Sequence, residues 1–509
     1  MALRLRLRMQ VFGVALAATA LTCGPAELPH GTVPRIDASV VVGAPVDAGP
    51  PAAPDANPCD ERSLAASSIG CEYFPTVTAN PVEGGFLFAV AIANPASTPT
   101  EVTIEGGALA APVALWVAPR DVVVQRLPWV LALKACPGGS ECGPPQNTGT
   151  LAASGAYHLR STKPVVVYQF NPLDYMGLRF SHSNDATVLL PTHGWSRHYR
   201  VASFPATVTG GPINFPSLLA ITAAEDATRV LVTTTADTPG GLRSPAFIAG
   251  EAQAVLLNTG DVLQLMSGTG DLTGSLVEAD RPVQVIGGNY CAMIPADHSS
   301  CDHIHEVMLP LEMLATRYVV ATPALPELPA GREQVVRIIA TEPDTELVYD
   351  PPQDLPTHIA AAGSFVEASQ LGADFQVTAN RRIMVVQYME GQAGPGAVVS
   401  TGDPSMALVV SPEQYLTSYL FHAPPDFEVS YVNVTAPMGA TVLLDGAAVG
   451  GFMPVGSSGF GVAKVELDSG GNGNHAMSSD QPFGISVYGY GQFTSYWFAG
   501  GFKLPIPIE

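Results

Sequence analysis

From residue 72 onward the chain is a succession of short runs in which large apolar residues alternate with small or polar ones. Gly, Pro, Asn or Asp stop each run. Gly85-Phe86-Leu87-Phe88-Ala89-Val90-Ala91-Ile92 alternates with period two, the pattern of a strand with one buried face. Pro164-Val165-Val166-Val167-Tyr168 and Pro282-Val283-Gln284-Val285-Ile286 are β-branched runs opened by Pro, which a sheet accepts at a strand's first residue. No capped helical pattern longer than about two turns interrupts them.

The runs recur in a fixed order. Pro191, Trp195 and Tyr199-Arg200-Val201-Ala202 match Pro310, Leu314 and Tyr318-Val319-Val320-Ala321, with a fainter copy in Pro412, Tyr415 and Tyr419-Leu420-Phe421. A strand pair with a turn follows each: LLAITAAEDATRVLV from 218, VVRIIATEPDTELVY from 335 and SYVNVTAPMGATVLLDG from 430. A closing hairpin comes next, GSLVEADRPVQVIGG from 274, DFQVTANRRIMVVQY from 374 and HAMSSDQPFGISVYG from 475. Its turn residues Pro164, Pro282, Arg382 and Pro482 lie 118, 100 and 100 residues apart. Solenoid units and propeller blades repeat every ~20–50 residues, whereas about 100 residues is the size of a β-sandwich module. The expected fold is therefore all-β. Four tandem sandwich-like modules are placed at 59–187, 188–303, 304–402 and 403–509, the first being the most diverged.

The N-terminus supplies an address. Arg4, Arg6 and Arg8 precede the apolar run Val11–Leu21, so residues 1–22 read as a secretory signal peptide too short to span a bilayer. Ala18-Thr19-Ala20 fits ordinary signal peptidase, while Ala20-Leu21-Thr22-Cys23 resembles a bacterial lipobox with unusual residues at Ala20 and Thr22. Residues 23–58, rich in Pro, Ala, Gly and Asp, cannot bury enough surface to order themselves and read as a disordered tether. That tether favours lipidation of Cys23, the alternative being a free secreted protein. The other six cysteines fall into local pairs, Cys59 with Cys71, Cys136 with Cys142 and Cys291 with Cys301. Six cysteines allow 15 connectivities, and local pairing is the simplest in an oxidising compartment.

Charge narrows the partners. The chain of 509 residues carries 45 acidic against 23 basic residues, a formal charge of −22, and a field of that sign repels nucleic acid. Its four Lys make no polybasic patch for anionic lipid, so membrane contact would run through a lipid anchor rather than a spanning helix. The 50 Gly and 46 Pro agree with a turn-rich protein. No nucleophile elbow, P-loop, dinucleotide fingerprint, zincin motif or EF-hand loop is present, and no catalytic, cofactor-binding or metal residue is assigned.

The block YHLRSTKPVVVYQFNPLDY, then SNDATVLLP and YRVASFP, then GGNYCAMIPADHSSCDHIHEVMLP, GDPSM and YGYGQFTSYWFAGG resembles the IgGFc-binding protein N-terminal domain family over residues 71–501. That resemblance implies a non-enzymatic recognition or adhesion protein at the cell surface or secreted, here a bacterial member. It carries no binding residues across, so a protein or glycan ligand stays unnamed, as does oligomeric state. A structural envelope lipoprotein without a soluble ligand is the alternative. Asp297-His298-Ser299-Ser300-Cys301-Asp302-His303-Ile304-His305-Glu306 is the one metal-like constellation, with His303 and His305 on one face of a strand. In the family pattern this run reads as a disulfide-closed loop linking two modules, and Cys291 is a ready partner for Cys301. The aromatic run Tyr488–Phe498 reads as core ahead of a binding platform. Asp185, Asp302 and Asp403, each before a module-opening strand, read as turn caps ahead of calcium ligands.

Overall fold

Each of four sheets is organised by one long strand: Tyr157–Phe170, Leu276–Ala292, Phe375–Met389 and Asn474–Gly491. In the computed structural model the described residues are 58–60, 64, 68–83, 85–135, 147–177, 180–208, 214–296, 298, 300–325, 333–392 and 401–504. The signal segment, the tether as far as residue 57 with Cys23, and Cys136, Cys142 and Asp297 lie outside them. Among the described residues the longest α-helix is the four-residue Leu131–Lys134, and no helix is long and apolar enough to cross a membrane.

The long strands correct the expected closing hairpins. Pro164, Pro282, Arg382 and Pro482 sit inside continuous strands, not at turns. Before these residues the strand pairs in one ladder, and after them in another. In the second sheet Leu276–Ala279 pair with Val230–Thr233, and Val283–Asn289 pair with Ser217–Ala223. The expected strand pair from 218 is thus no hairpin either; its two strands straddle the long one. Residues 280–282 lack a register partner in both ladders, so the N–H that Pro282 lacks is not missed. The residue opening each such bend accepts a backbone N–H: Thr162 from Glu101, Asp280 from Arg229, Asn380 from Glu346 and Asp480 from Thr441, at 3.1, 2.8, 2.9 and 2.8 Å. The same strand order recurs in all four sheets, the long strand flanked by two strands on either side, with a third added at one edge of the second and fourth sheets.

A buried tyrosine locks each bend. Tyr73, Tyr199 and Tyr318 donate to the carbonyls of Val165, Val283 and Ile383 at 2.6, 2.7 and 2.8 Å, and Tyr419 does the same to Phe483. Each acceptor directly follows its bend residue. Each phenol also accepts the N–H three residues earlier, from Gly70, Ser196, Ala315 and Leu416. Replacing Tyr199 by Phe strands a buried donor and a buried acceptor and should cost about 1–3 kcal/mol in a urea titration. Unchanged stability would remove the tyrosine from this role.

The four sheets close on themselves. The strands after the long ones, Ala186–Val188, Asp302–Val307, Met406–Leu408 and Thr494–Ala499, pack against one another on a common axis. Val188, Val307, Leu408 and Ala499, one from each sheet, surround a void of only ≈ 10 Å³ there. Tyr388 Oη donates to Ser203 O at 2.7 Å and Tyr490 Oη to Ala324 O at 2.9 Å, joining the second sheet to the third and the third to the fourth. Tyr168 Oη donates to Gly500 O at 2.7 Å and Ser68 N to Phe502 O at 3.0 Å, joining the fourth to the first. The short strand Thr150–Ala152 leaves the first sheet's span to pair with Val262–Gln264 of the second. One continuous apolar core therefore runs through the body, with a smaller one inside the third sheet. Cys59–Cys71 and Cys291–Cys301 are disulfides with Cα atoms 5.7 and 5.1 Å apart.

Candidate binding site on the ring axis

Each long strand reaches its axial strand through a connection of different length: residues 171–185, 293–301, 390–405 and 492–493. Strands dictated by core packing leave such connections free to vary, which is why recognition concentrates in them. Described residues from all four, His182, Ser300, Cys301, Asp403 and Phe493, line an open cavity of ≈ 270 Å³. Every sheet contributes at least one residue.

Carboxyls lie beneath it. Asp185 Oδ1 accepts from Ala186 N at 2.9 Å and Ser405 Oγ at 2.6 Å, and its Oδ2 accepts from His305 N at 2.9 Å. Asp302 Oδ1 accepts from His303 N at 2.7 Å and Oδ2 from Thr494 Oγ1 at 2.8 Å. Both aspartates thus cap the start of an axial strand, and both also bind across sheets, which the sequence alone does not reveal. Asp403 donates its N–H to Ser495 Oγ at 3.0 Å. Burial raises the pKa of Asp185 and Asp302 well above the usual carboxylate range, the neighbouring Asp403 adding to it at Asp302. Glu306, held by Thr187 Oγ1 at 2.8 Å, is raised for the same reason, with Asp185 contributing.

A raised carboxyl pKa favours the protonated form in the fold, so its stability contribution is full below the unfolded value and fades as pH rises through the folded one. Glu306→Gln should therefore raise the unfolding midpoint at pH 8 relative to the parent, and the gain should vanish in acid near pH 4. Each unit by which the fold raises the carboxyl is worth about 1.4 kcal/mol of that gain. A gain equal at both pH values would contradict a buried charge.

The metal-like constellation is otherwise employed. His303 and His305 do project from one face, their rings stacked at 5.2 Å, yet both are buried. Burial holds His305 down to about 3 and His303 well below its ordinary value, so both are neutral. Asn171 Nδ2 donates to His303 Nε2 at 3.0 Å, and His298 Nδ1 meets Gly391 O at 2.8 Å. Cys301 is a disulfide sulfur, not a thiolate, and among the described residues no three His, Cys, Asp or Glu side chains converge as a metal requires.

Of the C-terminal aromatic run, Tyr488, Tyr490, Tyr496, Trp497 and Phe498 are buried. A Cβ at Gly489 would stand 2.3 Å from the Tyr496 ring, so glycine there allows the close approach. Only Phe493 emerges, 39% exposed. It continues a stripe that sequence reasoning missed: Tyr175 stacks on Phe180 at 5.0 Å, Phe180 meets His182 at 5.9 Å, and His182 meets Phe493 at 5.7 Å. The available signal was the large apolar residues of NPLDYMGLRF, set in a turn-rich segment without period two. A second cavity, ≈ 250 Å³, lies at the seam of the first and fourth sheets, but Ile69, Val166, Leu416, Leu420 and Met477 make it largely aliphatic.

The sequence profile of the family described as IgGFc binding protein matches residues 185–489. Among curated proteins, the human (Homo sapiens) IgGFc-binding protein is 27% identical over 334 residues, covering 64% of this chain and 6% of that protein. The chain thus spans a small fraction of that relative's length. No solved structure matches.

Proposed function

The chain belongs to the IgGFc binding protein family, and from that premise we propose that it is a surface-displayed adhesion protein that recognises a protein or glycan ligand through the loop end of its ring. The family points to binding rather than catalysis. The observation that carries the reading is the axial cavity, lined by residues of all four sheets and flanked by the exposed rings of Phe180, His182 and Phe493. Exposed aromatic and apolar clusters on otherwise well-packed bodies mark interaction surfaces.

The mature chain would begin at a lipidated Cys23, with residues 24–58 as tether and modules at 59–187, 188–303, 304–402 and 403–509. The disulfides agree with an extracytoplasmic address. The test is the mature chain on protein and glycan arrays that include immunoglobulin Fc. Saturable capture of a defined class, lost when the 171–185 and 492–493 loops are replaced by short Gly/Ser turns, is the expected result. Capture that ignores those replacements would move the site elsewhere.

A further inference from the structure

Three features of the axial cavity select one kind of occupant. The first is the rim. His182 and Phe493 hold φ of 51° and 59°, left-handed values that a bulky side chain adopts only at a cost, where glycine would sit unstrained. The turn at 492–493 thus presents an aromatic ring to solvent against both backbone preference and burial.

The second is charge. Asp403 lines the cavity and Asp302 lies close enough beneath for the two carboxyls to interact. At the stripe's buried end, Tyr175 Oη donates to Glu428 at 3.2 Å and the Tyr175 and Met176 N–H groups to Asp426 at 2.8 and 2.9 Å. Acidic side chains therefore stand at both ends of the run, on a chain of formal charge −22.

The third is size. The depression of ≈ 270 Å³ is shallow and open to solvent, with room for one long side chain laid against its aromatic rim. Aromatic faces beside a carboxylate attract a cation with an apolar stem, and a planar guanidinium stacks on such faces better than an ammonium.

We propose that the cavity receives an arginine side chain of a protein ligand, its guanidinium lying against Phe493 and His182 with Asp403 beneath. This rests on the reading of the chain as a binding protein and names what the loop end grips. The long-range negative field would speed the encounter with a basic ligand.

The test is saturation-transfer NMR with the mature chain and three capped pentapeptides, Gly-Gly-X-Gly-Gly, where X is arginine, lysine or citrulline. Citrulline keeps the shape of arginine and removes its charge. Arginine should bind at least ten-fold tighter than citrulline, with lysine between. Phe493→Gly relieves the backbone and should weaken the arginine peptide at least five-fold without lowering the unfolding midpoint. Asp403→Asn should weaken it similarly. Equal binding of arginine and citrulline, or an arginine preference surviving both substitutions, overturns the assignment. If arrays then still show loop-dependent capture, only the arginine assignment falls; if they show none, the binding reading falls with it.

Discussion

Replacing Arg337 by Met should cost the ring about 3–5 kcal/mol, the range for breaking a buried charged network. Arg337 is 2% exposed, on the strand Gln334–Ala340 of the third sheet, and its head reaches into the second. Its Nη1 donates to Ser203 O, Asp271 and Thr273 Oγ1 at 2.9, 2.9 and 2.8 Å, and its Nε donates to Glu367 at 2.7 Å. The guanidinium also lies 4.6, 4.5 and 5.6 Å from the ring centres of Phe204, Phe365 and Tyr388. Methionine keeps most of the volume and loses every one of these bonds. Asp271 and Glu367 are partly exposed and can regain water, and Ser203 O keeps Tyr388 Oη and Thr273 Oγ1 as donors, so the loss falls on the bonds and ring contacts of the guanidinium itself. Arg337→Lys should recover part of the loss, since an ammonium restores charge but neither the fork nor the stacking. Guanidinium chloride unfolding measures both. A methionine variant within about 0.5 kcal/mol of the parent would show that packing, not the charged network, holds the second and third sheets together.

Cys23→Ser should shift the protein from the membrane fraction to the soluble fraction nearly completely while leaving the fold unchanged. One acyl chain binds a bilayer marginally, and two or more anchor firmly. Diacylglycerol on Cys23 would supply two, and among the described residues no helix is long and apolar enough to substitute by spanning. An acidic body would also resist docking on anionic headgroups. Extended at about 3.1 Å per residue, the 24–58 tether would hold that body up to roughly 100 Å from the surface. Intact mass of the mature protein provides the second readout. A mass equal to an unmodified chain starting at Leu21 rules the anchor out, as does an unchanged membrane fraction in the serine variant.

Local pattern carried much of this protein. Period-two alternation reports a strand because one face of each strand is buried, and that holds whichever strand lies beside it. The two disulfides join cysteines 12 and 10 residues apart, where chain proximity limits the partners. Tyr199, Tyr318 and Tyr419 stood out by repetition alone, while Tyr73 escaped because the segment Gly70–Tyr73 lacks the flanking Pro and short 3-10 turn of the others.

Only the tertiary structure decided what depends on residues far apart in the chain. A Pro-centred run reads as a hairpin turn when it stands alone. It is instead a bend in one strand, because two ladders compete for that strand and neither is visible locally. Asp185 looked like a cap for its own turn and is one, yet Ser405, 220 residues away, and Trp497, 312 away, also donate to it. Closure of the ring is what buries those carboxyls, joins His182 to Phe493 and opens a cavity between four loops. Hydrophobic periodicity is set by each strand's own two faces, whereas the axis is set by how four sheets meet, and no single segment records that meeting.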